Sequence, residues 1–486
     1  MRRPKISLKK YFYLTLIFAL LLIFGFHLRE HEEWKFKSPV TQKPQQLQQQ
    51  QQQQLQQHAN DIEEEKPPLE PQKYSDATGT PSQGPVQLYD DDNEKNTQIS
   101  DKTKPWFFKN GQYYPKPAEP PKSNGKGFGL MPHQNPQSDR IVEQLMFVPP
   151  NYEQIRESGK LKNILLFNGL NVWGVKRGRD VFRRLKCPVD TCEVTPIRAH
   201  ANKADLVLYK DFYMPSGFRR PANSKQLNML YFLECPYHTQ NIKVPDAMNW
   251  TATYRRESDI VAPYEKWVYY DPNIRQIDQE HNYALNKTKK VAWFVSNCGA
   301  RNGRLQFAHE LQKYIDVDIY GVCGTFKCSR THTDKCFEIL DNDYKFYLAF
   351  ENSNCKDYIT EKFFVNALNR KVLPIVMGAR PEDYEVGAPY RSYIHVDEFA
   401  SPRELAEYLH ILDKDNDLYN SYFKWKGTGE FINTYFWCRV CALLHDEESL
   451  RKPRWYTDVN EWWRGPGVCT NASWRNLKAR KDVIED

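Results

Sequence analysis

Apolar residues are distributed along this chain in two contrasting ways. Near the amino end they form one unbroken run: residues 11–28, YFYLTLIFALLLIFGFHL, carry only Thr15 and His27 as polar interruptions. At a helical rise of about 1.5 Å per residue the run just reaches across a thin bilayer, which predicts a single membrane helix. From about residue 160 the apolar positions come instead as short runs spaced by helical periodicity. KNILLFN (162–168), ADLVLY (204–209) and NMLYFLE (228–234) have the continuous character of strands buried on both faces. After a loop-rich stretch, 235–288, the rhythm resumes with VAWFVSN (291–297), a helix near 303–315, VDIYG (317–321), FYLAF (346–350), a helix near 358–369 and VLPIVMG (372–378). This alternation predicts an α/β protein with two parallel-sheet domains.

Between the apolar run and the first strand, residues 42–57 are nearly pure Gln, and 58–140 are rich in Pro, Asp, Gln and Lys without sustained periodicity. Such a composition buries too little to offset its ordering entropy. The glycines of GKGFG, 125–129, follow no predicted strand and do not make a nucleotide loop. The expected organisation is a cytoplasmic tail (1–10), a signal-anchor helix (11–28), a disordered stem (29–155), a first domain (156–285), a second domain (286–450) and a Trp-rich tail (451–486). Residues 1 to about 155 are expected to be dispensable for chemistry. A cleaved signal peptide is the rival for the apolar run, but no small-x-small site precedes Arg29, Glu30, Glu32 and Glu33. Arg2, Arg3, Lys5, Lys9 and Lys10 precede the run and keep that end cytoplasmic, which places the rest in a lumen.

All 11 cysteines fall between Cys187 and Cys469, and three acceptor sequons begin at Asn249, Asn286 and Asn471. Both facts fit an oxidising, glycosylating compartment. The formal charge of +7 is modest and spread out, so nucleic acid is not an expected partner.

The candidate chemistry centres on Glu351-Asn352-Ser353-Asn354, a polar turn where FYLAF ends and the next helix begins. In open parallel sheets ligands gather at the carboxyl ends of strands, where helix N-termini present N–H groups to anions. If the helix runs over 358–369, Tyr358, Glu361 and Lys362 share a face at i, i+3 and i+4. Ile359, Phe363, Ala367 and Leu368 then form the buried stripe. The plainer alternative is a solvated face with Asp357 as an ordinary N-cap.

The stretch KFYLAFENSNCKDYITEKFFVNALNRKVLPIVMG, 345–378, resembles the donor signature of glycosyltransferase family 10, the α-1,3-fucosyltransferases, which reads approximately FYLxFENSxxxxYxTEKxxxNAxxxxxVPVVxG. Every fixed position agrees except that VPVV is replaced by Leu373-Pro374-Ile375-Val376. YFLECPYHT (231–239), TYRRESDI (253–260), WFVSN with a downstream arginine (293–304) and SYIHVDEFASPRELAEYL (392–409) extend the resemblance over about 160–445. WGVKRG (173–178) and the Gln-rich stem are similar to the insect and plant enzymes that fucosylate the core of N-glycans. The resemblance implies a GT-B fold: two Rossmann-like domains face a cleft, with GDP-fucose held by the second and the acceptor by the first.

It also implies roles residue by residue. Glu234 occupies the position of the catalytic base. Asn352, Tyr358, Glu361 and Lys362 match donor-binding positions, with Lys362 suited to phosphate and Glu361 to sugar hydroxyls. Arg304 matches the arginine that forks onto the diphosphate, with Arg301 the runner-up. Tyr254, Arg255, Arg256, Ser296 and Asn297 fall near the cleft, although a structural ion pair of the arginines with Glu257 or Asp259 explains them equally well. Asp316-Val-Asp318 and Asp341-Asn-Asp343 fit an Asp-x-Asp metal motif, but the GT-B resemblance implies reliance on basic side chains. No cofactor is expected to be obligatory, and a divalent cation such as Mn2+ is at most stimulatory.

Cys323-x4-Cys328 followed by His332 and Cys336 has a zinc-like look, for which lumenal disulfides are the preferred alternative. With Cys187, Cys192, Cys438 and Cys441 these are the disulfide candidates, and the family resemblance implies that the Cys438-x-x-Cys441 pair is disulfide-bonded. The four tail tryptophans, Trp455, Trp462, Trp463 and Trp474, either pack on the core or stack on acceptor sugars. The expected activity is a Golgi type II enzyme adding α-1,3-fucose to the innermost GlcNAc of N-glycans on glycoproteins. The rivals are a Lewis-type enzyme acting on N-acetyllactosamine and a catalytically silent lumenal glycan-binding protein. Intact Glu234, Arg304 and Lys362 argue against silence.

Overall fold

A computed structural model of the protein describes residues 107–109, 112–114, 129–215, 225–328, 333–451 and 455–476. The first lobe is built on a six-stranded parallel sheet of β1 (Lys162–Leu166), β2 (Cys192–Thr195), β3 (Leu206–Lys210), β4 (Leu227–Phe232), β5 (Trp250–Thr253) and β6 (Ile260–Val261), in the order β2-β1-β3-β4-β5-β6. The second lobe holds a five-stranded parallel sheet of β7 (Lys289–Phe294), β8 (Val317–Tyr320), β9 (Tyr344–Phe350), β10 (Leu373–Met377) and β11 (Ile394–His395), in the order β8-β7-β9-β10-β11. Parallel sheets are covered on both faces, and β3, β9 and β10 are accordingly buried along their whole length. Pro374, which has no N–H to give, is accommodated inside β10 because the short β11 reaches only Ile375 and Val376.

Helix Pro402–Lys414 shows how the second lobe is closed. Ser401 caps it by accepting from the Glu404 N–H at 3.2 Å, and Pro402 sits at the first helical position, where a missing N–H costs nothing. Leu405, Ala406, Leu409 and Leu412 form its buried stripe against the sheet. Each leucine so buried contributes roughly 2 kcal/mol.

The folded region begins earlier than the expected end of the stem at 155. Leu130, Met131, Leu145, Phe147 and Tyr152 belong to the first lobe's core. Arg140 is fully buried and donates to the carbonyls of Asn135, Arg256 and Ser258 at 2.9, 2.6 and 2.8 Å. Gln144 is equally committed: its Nε2 donates to Leu130 O at 2.8 Å and Asp259 O at 2.7 Å. A segment poor in apolar residues is thus ordered by a few buried polar ones. The apolar run 11–28 lies outside the described residues, and among these no helix is long and apolar enough to cross a membrane.

The carboxyl end of the second domain, drawn at 450, is also corrected. From Tyr435 the chain packs in the first lobe, with helix Phe436–Leu443 in the same core as β1 to β3. Disulfides Cys187–Cys438 and Cys192–Cys441 fasten it there, so the C-x-x-C cysteines bond to two distant partners rather than to each other. The zinc-like cluster is likewise divided between Cys298–Cys323 and Cys328–Cys336. Cys355–Cys469 ties the tail to the second lobe, and Cys235 is left as a buried free thiol. Trp463 and Trp474 are buried, which places them in the packing role.

Of the three sequons, Asn286 and Asn471 are exposed. Asn249 is not available for modification in the folded protein. Its side chain is fully buried and its Oδ1 accepts from the Asn228 N–H at 2.9 Å.

Candidate active site

Glu234 stands two residues beyond β4, at the carboxyl end of the first sheet. The Tyr264 hydroxyl donates to Leu233 O at 3.0 Å, and a short turn, Pro236–His238, with Pro236 at its first position, holds the other side. Facing it, the Glu351–Asn354 turn leaves the carboxyl end of β9. The two meet directly. Glu234 Oε1 accepts from Asn352 Nδ2 at 3.1 Å, Tyr358 OH at 2.7 Å and the Cys235 N–H at 2.8 Å. Among the described residues nothing donates a hydrogen bond to Oε2, and about a quarter of the side chain (28%) is exposed. One oxygen is anchored and the other can meet a ligand.

Burial alone would push the Glu234 carboxyl up. The His238 imidazole 3.7 Å away, hydrogen bonds from Tyr358 and the Cys235 N–H, and the field of Lys362 together outweigh it and hold the group down at about 2. Glu234 is therefore ionised at any physiological pH. Toward a resting sugar hydroxyl so acidic a carboxylate is a weak base. Such a carboxylate accepts a proton only from a hydroxyl that bond formation to an electron-poor carbon has made acidic.

Tyr358 reaches Glu234 because it is not in the helix assigned to it by spacing. Asp357 has a left-handed backbone, φ 58°, and the helix starts only at Glu361, with Thr360 as its N-cap, before passing into a π-helical turn over Phe364–Leu368. The left-handed residue is held by a bond from its N–H to Asp383 Oδ2 at 2.8 Å and by Arg256. Tyr358, Glu361 and Lys362 thus do not share a helical face, whereas Ile359, Phe363, Ala367 and Leu368 are all buried as expected. Tyr254 is buried with its ring 5.0 Å from that of Tyr358 and 5.5 Å from that of Trp463.

Lys362 lies over a buried acid. Its Nζ is 3.2 Å from Glu351 Oε2, 3.1 Å from Glu361 Oε1 and 3.0 Å from Thr360 Oγ1. Burial pushes the Glu351 carboxyl up, while Lys362 and the Thr360 hydroxyl and N–H work in the other direction. Burial likewise opposes the Lys362 charge, but Glu351, Glu361 and Glu234 raise its pKa on balance. Gly378 makes the close packing possible: a Cβ there would stand 2.5 Å from Glu351 Cγ. Position 351 therefore requires glycine opposite it, which explains the last residue of VLPIVMG.

Arg304 is placed differently from expectation. It is buried, and its two terminal nitrogens donate to Phe350 O at 2.8 Å and Asn297 O at 3.0 Å, fixing the loop after β7 to the end of β9. Both terminal nitrogens are engaged by main-chain carbonyls, while its Nε is buried with no partner among the described residues. Ser296 and Asn297 are exposed in that loop, and Asn297 Oδ1 accepts from the Gly299 N–H at 3.2 Å. Arg301, exposed, holds its guanidinium 5.5 Å from the centre of the Tyr237 ring. It is the better-presented cation at the end of the second sheet.

The remaining arginines are structural. Arg255 pairs with Glu257 and donates to Trp462 O. Arg256 bonds Asp357 Oδ1 through Nε at 2.8 Å and Asp383 Oδ1 through Nη2 at 2.9 Å, clamping the two lobes beside the site. The Asp-x-Asp residues are remote from the turn. Asp318 accepts from Tyr344 OH at 2.5 Å, at the amino ends of β8 and β9, and Asp341 is bonded to the Lys371 N–H at 2.8 Å.

The sequence profile described as glycosyltransferase family 10 (fucosyltransferase) C-term matches residues 284–462, and the fucosyltransferase N-terminal profile matches 159–265. Glycoprotein 3-alpha-L-fucosyltransferase A of Drosophila melanogaster is 68% identical over 500 aligned residues, which cover 100% of this chain and 99% of that one. The chain belongs to glycosyltransferase family 10. Alpha-(1,3)-fucosyltransferase C of the same fly is 35% identical over 316 residues, 60% of this chain and 73% of that protein. A crystal structure of an alpha1,3-fucosyltransferase with GDP-fucose aligns at a TM-score of 0.39 and 18% identity, covering 62% of this chain and 93% of that one.

In this family 10 chain, the sequence names Glu351 only as part of the polar turn, singles out neither Thr360 nor Cys235, and offers His238 only as a fallback for Glu234. His238 Nδ1 lies 3.7 Å from Glu234 Oε1 and 3.4 Å from Cys235 Sγ, and the hydrogen bond to the sulfur with the nearby carboxylate outweighs burial and raises its pKa to about 10. The available signal was the run ECPYH, which puts a thiol and an imidazole one and four residues after the carboxylate.

Proposed function

We propose that the protein transfers L-fucose from GDP-β-L-fucose, with inversion and in α-1,3 linkage, to the innermost, asparagine-linked GlcNAc of N-glycans on glycoproteins. The observation that carries the chemistry is the Glu234 carboxylate, held by one oxygen against the Asn352 turn. In a single displacement the acceptor hydroxyl attacks the anomeric carbon as the bond to GDP breaks, and Glu234 Oε2 receives the hydroxyl proton. Asn352 and Tyr358 orient the base. Asn352 Oδ1, buried with no partner among the described residues, suits a hydroxyl of the donor.

Arg301 and Lys362 supply positive potential to the departing diphosphate. The two parallel-sheet lobes, with Glu234 and the Glu351 turn at facing carboxyl ends, fit a GT-B arrangement in which the donor sits on the second lobe. No metal is obligatory in this reading, and Mn2+ at most stimulates. Residues 11–28 would anchor the enzyme in the Golgi membrane as a single-pass type II protein with its catalytic lobes in the lumen. A glycoprotein acceptor is supported by the name and 68% identity of the fly relative, and the core position by the WGVKRG resemblance at 173–178.

The test is to incubate the protein with GDP-fucose and either defined N-glycopeptides or N-acetyllactosamine, and to determine the linkage formed. Fucose at O3 of the innermost GlcNAc is expected. Transfer to the terminal disaccharide alone would replace the core acceptor with a Lewis-type one, and binding without transfer would leave a glycan-binding protein.

A further inference from the structure

We propose that Glu234, Cys235 and His238 form a binding site for a borderline-soft divalent cation, with Zn2+ the best fit, and that occupancy takes the base out of the reaction. A carboxylate oxygen, a thiol sulfur and an imidazole nitrogen from these residues all lie within 4.8 Å of one another. His238 Nδ1 is 3.4 Å from Cys235 Sγ and 3.7 Å from Glu234 Oε1. Bonds of about 2.0 to 2.3 Å at tetrahedral angles separate neighbouring ligands by about 3.3 to 3.6 Å, so these edges need little adjustment.

The donor set decides the class of cation. Sulfur with nitrogen and one carboxylate selects Zn2+ and its neighbours over Mg2+ and Mn2+, which prefer oxygen. Cys235 is the only cysteine among the described residues outside a disulfide, so one thiol persists in a chain whose other ten cysteines are bonded. Two of the three ligands are already held by neighbours. Ser353 Oγ lies 3.0 Å from Cys235 Sγ, and Asn352 and Tyr358 orient the carboxylate. His238 is exposed at 38% of its side chain, which gives a cation a route in from solvent. Binding releases the thiol proton and the imidazolium proton of His238 to solvent, and three protein ligands leave a fourth position open to water.

The silencing effect rests on Glu234 being the base, whereas the cation site does not, and the experiment separates them. The full-length protein in detergent is titrated with Co2+, whose bond to a thiolate gives a near-ultraviolet charge-transfer band, and Zn2+ is then used to displace it. One equivalent should bind with that band. Cys235→Ser should abolish the band, and His238→Gln, a change at a half-exposed position that spares the core, should weaken binding at least tenfold. Zn2+ over the same concentration range should depress fucose transfer at least tenfold, with recovery on adding EDTA. Absence of the thiolate band in folded wild-type protein, or a band that survives Cys235→Ser, overturns the site. Stoichiometric binding with full activity overturns the silencing and, with it, the role of Glu234 as base.

Discussion

The Tyr358 hydroxyl crosses from one lobe to the other to donate a 2.7 Å hydrogen bond to Glu234. Tyr358 is itself packed against Tyr254, and Tyr254 against Trp463 of the tail. The orientation of the carboxylate therefore depends on contacts drawn from both sheets and from the last part of the chain. Changes that loosen the lobes should reach the base without touching it.

The segment just before β1 provides one such case. A chain beginning at residue 129 should unfold at the same temperature as the longer protein and retain its transfer activity. A chain beginning at 155 loses Arg140 and Gln144, leaving the carbonyls of Arg256, Ser258 and Asp259 without those donors. Each orphaned buried carbonyl costs about 1–3 kcal/mol, so its melting temperature should fall by several degrees and activity should drop with it. Equal melting curves for the two fragments would contradict the packing described for this segment.

Arg256→Ala should be costly for a different reason. Asp383 keeps Arg380 as a partner at 2.6 Å, but Asp357, almost wholly buried, loses its guanidinium. Breaking one side of a buried pair costs about 3–5 kcal/mol. Burial and the neighbouring Asp383 already raise the Asp357 pKa to about 6. The loss should therefore be smaller at pH 5, where Asp357 can be protonated, than at pH 7.5. Thermal denaturation of variant and wild type at both pH values checks the sign.

Glu265 gives a second pH dependence. Burial raises its pKa to about 7. The folded value exceeds the unfolded one, so the native state binds more protons. That contribution is fully present below the unfolded pKa of about 4.3 and is lost as pH rises through 7. Glu265→Gln cannot ionise. It should be close to wild type in stability at pH 4.5 and more stable by about 1–3 kcal/mol at pH 8, after allowance for partial solvent exposure. A stability difference that does not grow with pH would show that Glu265 titrates normally.

Much of this arrangement was legible from residue types. The runs that became β3, β9 and β10 are continuous and apolar, and the Glu351 turn falls at the strand end where an open parallel sheet collects ligands. What could not be read is long-range. β5, Trp250–Thr253, carries two threonines yet is buried throughout, because Thr251 Oγ1 is bonded to Asp259 at 3.1 Å. Arg140 looks like a stem residue until carbonyls more than a hundred positions away enclose it. The partners of Cys438 and Cys441 lie about 250 residues upstream, where spacing carries no information. Tyr358 has helical spacing to Glu361 and Lys362, and only the left-handed Asp357, stabilised by the other lobe, turns it toward Glu234.

The role of Glu234 is tested most directly by Glu234→Gln, with GDP-fucose binding and fucose transfer measured on the same preparation. The amide keeps the size of the side chain and an oxygen to accept from Tyr358 and Asn352, but it cannot take a proton from the acceptor. Donor affinity should stay within a few-fold of wild type, while transfer should fall by about 10²-fold or more, the scale of a lost general base. A folded variant that binds donor and transfers fucose at close to the wild-type rate would contradict the assignment.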